Sequence, residues 1–323
     1  MTEVSESMRR AAFGAAYRML GSVADADDVA QSAIERMLRL PPAEQPANAE
    51  AWLTTVATRI SVDQLRSARA RHEQYVGEWM PEPIVGEWSS EASDASSHAE
   101  LADELSFAFL VLLQTLTPTE RAAFLLHDVL DYSYDEVASV LDRPSQAAAR
   151  QLVSRARGRV SNRVPRYAAP IAEQRELVDR FIAAIESGAV DQFVTLLTED
   201  VLASNDGGGR VPPGYAISRP VHGVDAVAKL FASFAKRATF PAHLEAVTVN
   251  GGPGLVVMID LPVGGGVVAV MSLDIREGRI ATIHGVINPD KLRHLVPALG
   301  PLVDFDAVRA AERAARAQKD APS

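Results

Sequence analysis

Apolar positions between residues 8 and 20 recur at helical spacing, and Gly21 closes the run. Ser22 is suited to cap a second helix reaching about Leu40, with Asp25, Asp27 and Asp28 near its positive end. Prolines in PPAEQPANAE break the pattern. A third long helix begins near Ala49, with Trp52, Leu53, Val56 and Ile60 on one face and Arg59, Arg66, Arg69 and Arg71 on its later turns. From residue 73 to 99 periodicity is lost, and Pro81, Pro83, Gly86 and the run SSEASDASS predict a linker. Helices resume near Glu100. Thr117, Pro118 and Glu120 form a capping-box start, and Ser133 with Glu136 repeats the spacing. Two short helices, 134–140 and 145–159, flank Leu141-Asp-Arg-Pro144.

After Pro170 the pattern changes. Helices are predicted at 175–187 and 224–236. Four alternating runs follow, LEAVTVN, GLVVMIDL, GVVAVMSLDI and RIATIHGVI, separated by glycine-rich turns. Helices followed by a strand meander predict an α+β domain after the all-α part. Asn288 and Pro289 read as the cap and first position of a short helix, NPDKLRHLV. The stretch from about Phe305 is rich in Ala and Arg, with a helix compatible with it, and is expected to be loosely held.

Composition narrows the function. The 323 residues contain no cysteine, which excludes disulfides, thiolate metal ligands and thiol nucleophiles. The N-terminal stretch MTEVSESMRR has no apolar signal core, and no apolar run approaches the length of a membrane helix, so a cytoplasmic protein is expected. The net charge of −10 is unlike that of a freely searching DNA binder. Charge is segregated, however. Residues 73–100 carry Glu73, Glu78, Glu82, Glu87, Glu91, Asp94 and Glu100 with no Lys or Arg, whereas 145–170 carry Arg150, Arg155, Arg157, Arg159, Arg163 and Arg166 with no Asp or Glu.

The pair of helices around Leu141-Asp-Arg-Pro144 suits a helix-turn-helix whose second helix enters the major groove. Ser145, Gln146, Arg150, Gln151 and Ser154 are types that reach base edges, and Arg155, Arg157 and Arg159 suit phosphates. A helical hairpin with a solvated basic face is the plainer alternative. With YRMLGSVADADDVAQSAIERMLR and AWLTTVATRISVDQLRSARAR upstream, residues 8–165 resemble an extracytoplasmic-function (ECF) sigma factor. That resemblance implies two all-α domains, region 2 (1–72) and region 4 (100–166), with core RNA polymerase and promoter DNA as partners. It assigns Asp27, Asp28 and Gln31 to polymerase binding. It assigns Trp52, Arg59, Asp63, Arg66 and Arg69 to the minus-ten element, and Ser145, Gln146, Arg150, Gln151, Ser154, Arg155 and Arg157 to the minus-thirty-five element. Arg59 stands where many members carry Asn, a departure bearing on which minus-ten sequence is read. The solvated-face and core readings remain open for Asp27, Asp28, Gln31 and Trp52. The acidic linker 73–99 suits a basic polymerase channel.

Residues 172–295 resemble the SnoaL-like cone fold, and 296–323 are expected as a tail. Three motifs, Trp79-Met-Pro-Glu-Pro83, Asp206-Gly207-Gly208-Gly209-Arg210 and Asn288-Pro289-Asp290-Lys291-Leu292, resemble the WLPEP, DGGGK and NPDKL of the SigJ-like sigma group, in the same order. The group's fused domain is thought to regulate in cis, so no separate anti-sigma factor is expected. Trp79, Pro81, Glu82 and Pro83 then join the glycine loop and NPDKL as interdomain regulatory residues. The loop lacks the Lys-Ser/Thr and helix of a phosphate loop. Asp206, Asp260, Asp274, His222 and His284 stand at no spacing that demands catalysis. No enzyme activity, cofactor or metal is expected. A small-molecule ligand inside the cone is compatible with the fold, and a cyclase- or isomerase-type protein fused to a helix-turn-helix is the alternative.

Overall fold

The computed structural model describes residues 4–72, 75–87, 106–160, 170–237, 239–262 and 264–319. Their contacts divide into two units, one of 4–72 with 109–160 and one of 75–87, 106–108 and 170–319.

In the first unit, α1 (Glu6–Leu20) starts at Ser5, whose hydroxyl accepts from Met8 N–H, and stops where Gly21 turns left-handed at φ 67. Ser22 caps α2 (Val23–Leu38) by accepting from Asp25 N–H at 3.2 Å. Asn48 Oδ1 accepts from Ala51 N–H at the start of α3 (Ala49–His72). Phe13 and Tyr17 stack at 5.7 Å, and Met19, Val29, Met37, Leu53 and Ala57 are buried with them among the three helices.

The second half of this unit runs from α4 (Phe107–Leu113, which joins it from Phe109 on), through α5 (Pro118–Phe124), a π-helical turn (Leu125–Val129) and α6 (Tyr134–Val140), to α7 (Gln146–Val160). Both predicted capping boxes form, Thr117 with Glu120 and Ser133 with Glu136. Asp142 takes φ 50, and Arg143 N–H bonds Ala138 O at 2.8 Å, making the tight turn between α6 and α7. Ala149, Leu152, Val153, Ala156 and Val160 bury one stripe of α7, leaving Gln146, Arg150, Gln151 and Ser154 outside.

The second unit is a seven-stranded sheet in the order β1-β4-β5-β6-β7-β2-β3. Its strands are β1 (Val85–Gly86), β2 (Leu197–Asp206), β3 (Val221–His222), β4 (Ala242–Val249), β5 (Gly252–Ile259), β6 (Gly266–Arg276) and β7 (Arg279–Val286). Every pairing is antiparallel except β2 with β7. Helices α8 (Ile171–Ser187), α9 (Val190–Thr195) and α10 (Val224–Arg237) cover one face. There Phe181, Phe193 and Phe231 form a cluster with centroids 5.1–5.9 Å apart over Ala203, Leu255, Leu273 and Ile283.

The stretch read as acidic linker differs from that expectation over 75–87. Val85 and Gly86 pair with Val249 and Thr248, and Met80, Pro81, Pro83 and Ile84 are buried. The local sequence is too short and proline-broken to announce a strand, but the open edge of β4 supplies its partners. The rest of the predicted linker, residues 73–74 and 88–99, lies outside the described residues.

The predicted helix after Asn288 is two 3-10 turns, Pro289–Lys291 and Arg293–Leu295, then α11 (Val296–Leu299). The C-terminal stretch is not a loose tail. Val267 N–H of β6 donates to Pro301 O and Val303 N–H donates to Val267 O, both at 2.9 Å, and α12 (Phe305–Lys319) buries Phe305 and Val308 against Ala269 and Ile287.

Candidate functional site

Two groups of the expected residues are brought together, one in each unit. In the second unit the parallel pairing of β2 with β7 sets Asp206 level with Val286 at the strand ends. Asp206 main-chain oxygen accepts from Ile287 and Asn288 N–H, both at 2.9 Å, so the glycine loop and NPDKL share one backbone junction. The Asp206 side chain, fully buried, accepts from Tyr75 O–H at 2.5 Å, Met80 N–H at 2.8 Å and Lys291 Nζ at 2.6 Å. Lys291 also donates to Met80 O and lies 3.8 Å from the centre of the Trp79 ring. Asn288 Nδ2 donates to Tyr75 O–H at 2.9 Å.

The three motifs therefore meet around one carboxylate. Burial, with Asp206 alongside, holds the Tyr75 phenol far above its ordinary value. Burial also lowers the Lys291 ammonium, and the Asp206 charge opposes that shift. Below the node, Ile84 N–H donates to Asn250 Oδ1 at 3.1 Å, Asn250 N–H returns to Ile84 O at 2.8 Å, and His294 Nε2 lies 2.8 Å from Pro83 O.

Glycine is required in this loop at two places. Gly208 and Gly209 have φ 56 and 69, and a Cβ on Gly208 would stand 2.2 Å from Asn288 Nδ2 and 2.8 Å from Tyr75 Oη. Arg210 turns instead to Asp290, Nε to Oδ2 at 2.9 Å, and Asp290 also accepts from Arg293. Leu292 is buried. Tyr75, Asn250 and His294 were missed by sequence reading. Tyr75 and His294 carry no periodic signal, and Asn250 reads only as part of an Asn-Gly hairpin turn.

In the first unit Asp27, Asp28 and Gln31 are exposed on α2, with Gln31 Nε2 bonded to Glu35 at 3.1 Å. Trp52 is half-buried on α3. Arg59 donates to Val140 O and Ser139 O, both at 2.8 Å, at the C-terminal end of α6. Arg66 pairs with Asp63 at 3.7 Å and donates to Thr119 Oγ1 at 3.2 Å. The side chain of Arg69 lies outside the described residues. Two further links join the halves: Arg121 donates to Met19 O at 2.5 Å, and Tyr132 O–H donates to Ala51 O at 3.2 Å.

On α7, Ser145 caps the helix through Ala148 N–H at 3.3 Å, and Gln146 bonds Asp135 at 3.2 Å. Gln151 and Ser154 are exposed. Arg155 and Arg159 both reach the buried Glu120, at 3.3 and 2.7 Å, and Arg157 reaches Asp128. Burial alone would raise the Glu120 carboxyl, but bonds from Thr117 and the two arginines outweigh it, and it titrates below its ordinary value.

Comparison with known proteins defines the class. Residues 5–71 match Sigma-70 region 2, and residues 106–160 match Sigma-70 region 4. The ECF RNA polymerase sigma factor SigJ of Mycobacterium tuberculosis is 37% identical over 90% of this chain and 93% of its own length. A probable ECF sigma factor SigI of the same organism is 30% identical over 88% and 92%. The crystal structure of M. tuberculosis SigJ superposes with a TM-score of 0.71 at 32% identity, covering 89% of this chain and 96% of that one. The chain belongs to the ECF RNA polymerase sigma factors and is SigJ-like over nearly its whole length. The architecture expected from sequence, two helical sigma domains followed by an α+β domain, is the one found. Among the described residues no helix is long and apolar enough to cross a membrane.

Proposed function

We propose that this sigma factor engages core RNA polymerase through the exposed Asp27, Asp28 and Gln31. It opens and reads the minus-ten element with Trp52, Arg59, Asp63, Arg66 and Arg69. It reads the minus-thirty-five element with Ser145, Gln146, Arg150, Gln151 and Ser154, backed by Arg155 and Arg157. Its work is binding and strand opening, without covalent chemistry. The sheet unit regulates this activity in cis by holding residues 75–86 as an edge element, which places control inside the chain rather than in a separate anti-sigma protein.

One observation carries the regulatory reading: the Asp206 carboxylate joins Tyr75, Met80 and Lys291, so a single buried group ties the interdomain segment to both other motifs. Tyr75 follows the last residue of α3, His72, by only three positions. Release or capture of this segment therefore acts on the chain directly behind the minus-ten helix. A small-molecule or enzymatic role for the sheet unit is disfavoured by the phenylalanine cluster that fills the helix-covered face.

The test is multi-round transcription with core polymerase by the full chain and by Asp206→Asn. Core binding should be unchanged, while promoter output shifts severalfold and Trp79 becomes more exposed. If Trp79 is released and output stays the same, the regulatory reading is lost.

A further inference from the structure

Sequence reading assigned the arginines of α7 to DNA; the π-helical turn before α6 emerges only in the structure. Leu125–Val129 closes with Leu130 N–H on Leu125 O at 3.0 Å. A π-turn shifts the register of the side chains that follow it and persists mostly where their direction matters. This one aims His127 at Tyr134 of α6 and Asp128 at Arg157 of α7. Asp128 Oδ1 accepts from both Nε, at 2.8 Å, and Nη2, at 2.5 Å, of Arg157. The His127 ring stacks on Tyr134 at 4.0 Å, and the Arg150 guanidinium lies 5.1 Å from the Tyr134 ring centre. Asp128 is largely buried, whereas half of the Arg157 side chain is exposed.

We propose that Asp128 is a positioning residue for upstream promoter DNA. It fixes Arg157 in one pose, so that the remaining guanidinium donors meet a backbone phosphate without a further ordering cost. Tyr134, braced by His127, does the same for Arg150. This rests on the reading of α7 as the helix that enters the minus-thirty-five element. An acid beside DNA is expected on charge alone to weaken binding, because it repels phosphate. Positioning predicts the opposite sign, and that separates the two.

The experiment uses holoenzyme formed from the full chain and core polymerase. The probe is a promoter duplex enriched by that holoenzyme from a pool randomised upstream of the minus-ten element. Affinity is measured against salt for wild type, Asp128→Asn, Arg157→Ala and the double variant. Asp128→Asn should weaken binding roughly three- to tenfold and reduce the salt slope by about one, despite removing a negative charge. In the Arg157→Ala background it should cost nothing further. Arg157→Lys keeps the charge but cannot form the paired bonds, and should lose about as much as Arg157→Ala; it serves if Asp128→Asn lowers the melting temperature.

Tighter binding by Asp128→Asn, or additive losses in the double variant, overturns the proposal while leaving α7 as the reader. No effect of Arg157→Ala overturns both.

Discussion

At the residue scale, the buried pair Asp206–Lys291 makes the sharpest demand. Removing one partner of a buried, hydrogen-bonded ion pair leaves the other uncompensated, at a cost of about 3–5 kcal/mol. Lys291→Met should therefore lower the melting temperature of the sheet unit clearly, and Asp206→Asn with Lys291→Met should recover part of that loss, read by calorimetry. Gly208→Ala forces a Cβ at φ 56 into Asn288 and Tyr75, and should destabilise by more than about 1 kcal/mol while loosening the Tyr75 contact. Asp274 gives a pH signature. Burial raises its carboxyl from 3.8 to about 6. A raised folded value means the protonated form is favoured in the fold, so its contribution is fully present below pH 4 and is lost as pH rises through about 6. Asp274→Asn should thus stabilise the protein at pH 7.5, by at most about 3 kcal/mol and less where solvent reaches the group, and leave stability near pH 4 unchanged. His284 runs the other way. Burial lowers it to about 4, so stability is kept above pH 6.5 and falls as pH drops toward 4.

At the element scale, local chemistry decides what was legible. Helices with caps in the sequence, such as those begun by Ser22, Thr117 and Ser133, form where their caps predict. The four strands of the meander, β4 to β7, alternate well enough to be read directly. Two strands and the packing of α12 were not legible for a common reason: their partners lie elsewhere in the sequence. β1 exists because β4 offers it an edge far along the chain, Val85 pairing with Val249. β2, beginning Leu-Thr-Glu-Asp, has a broken alternation and depends on β7. α12 looked like an Ala- and Arg-rich tail because only Phe305 and Val308 anchor its start. Deleting residues 301–323 should therefore uncover Ala269 and Ile287 and lower the melting temperature of the sheet unit. An unchanged melt would mean α12 does not pack as described. The candidate site shows the same division. Its three motifs were visible as sequence, while Tyr75, Met80 N–H and Asn250, which complete it, became visible only through tertiary pairing.

At the scale of the whole sigma unit, the proposed assignment of α3 to the minus-ten element and α7 to the minus-thirty-five element conflicts with the arrangement seen. Minus-ten and minus-thirty-five elements lie about 25 base pairs apart, which is roughly 85 Å of duplex at 3.4 Å per pair. Here Arg59 of α3 touches the C-terminal carbonyls of α6 at 2.8 Å, and Arg66 touches Thr119 at 3.2 Å. The same side chains cannot contact DNA and hold the helix-turn-helix half at once, so on the proposed assignment promoter binding requires the halves to part. Each link is a side-chain bond worth about 1 kcal/mol, a few kcal/mol together, which binding to a large polymerase surface can overcome. The absence of cysteine makes the change measurable, since introduced thiols label uniquely. Ser67→Cys on α3 and Ser139→Cys on α6, both at exposed positions, take a donor and acceptor dye. Energy transfer should be high in the free chain, fall sharply when core polymerase is added, and start lower in Arg59→Ala, which lacks the bonds to Ser139 and Val140. Equal transfer before and after polymerase addition would show that the halves stay joined, and that promoter spacing is met in some other way.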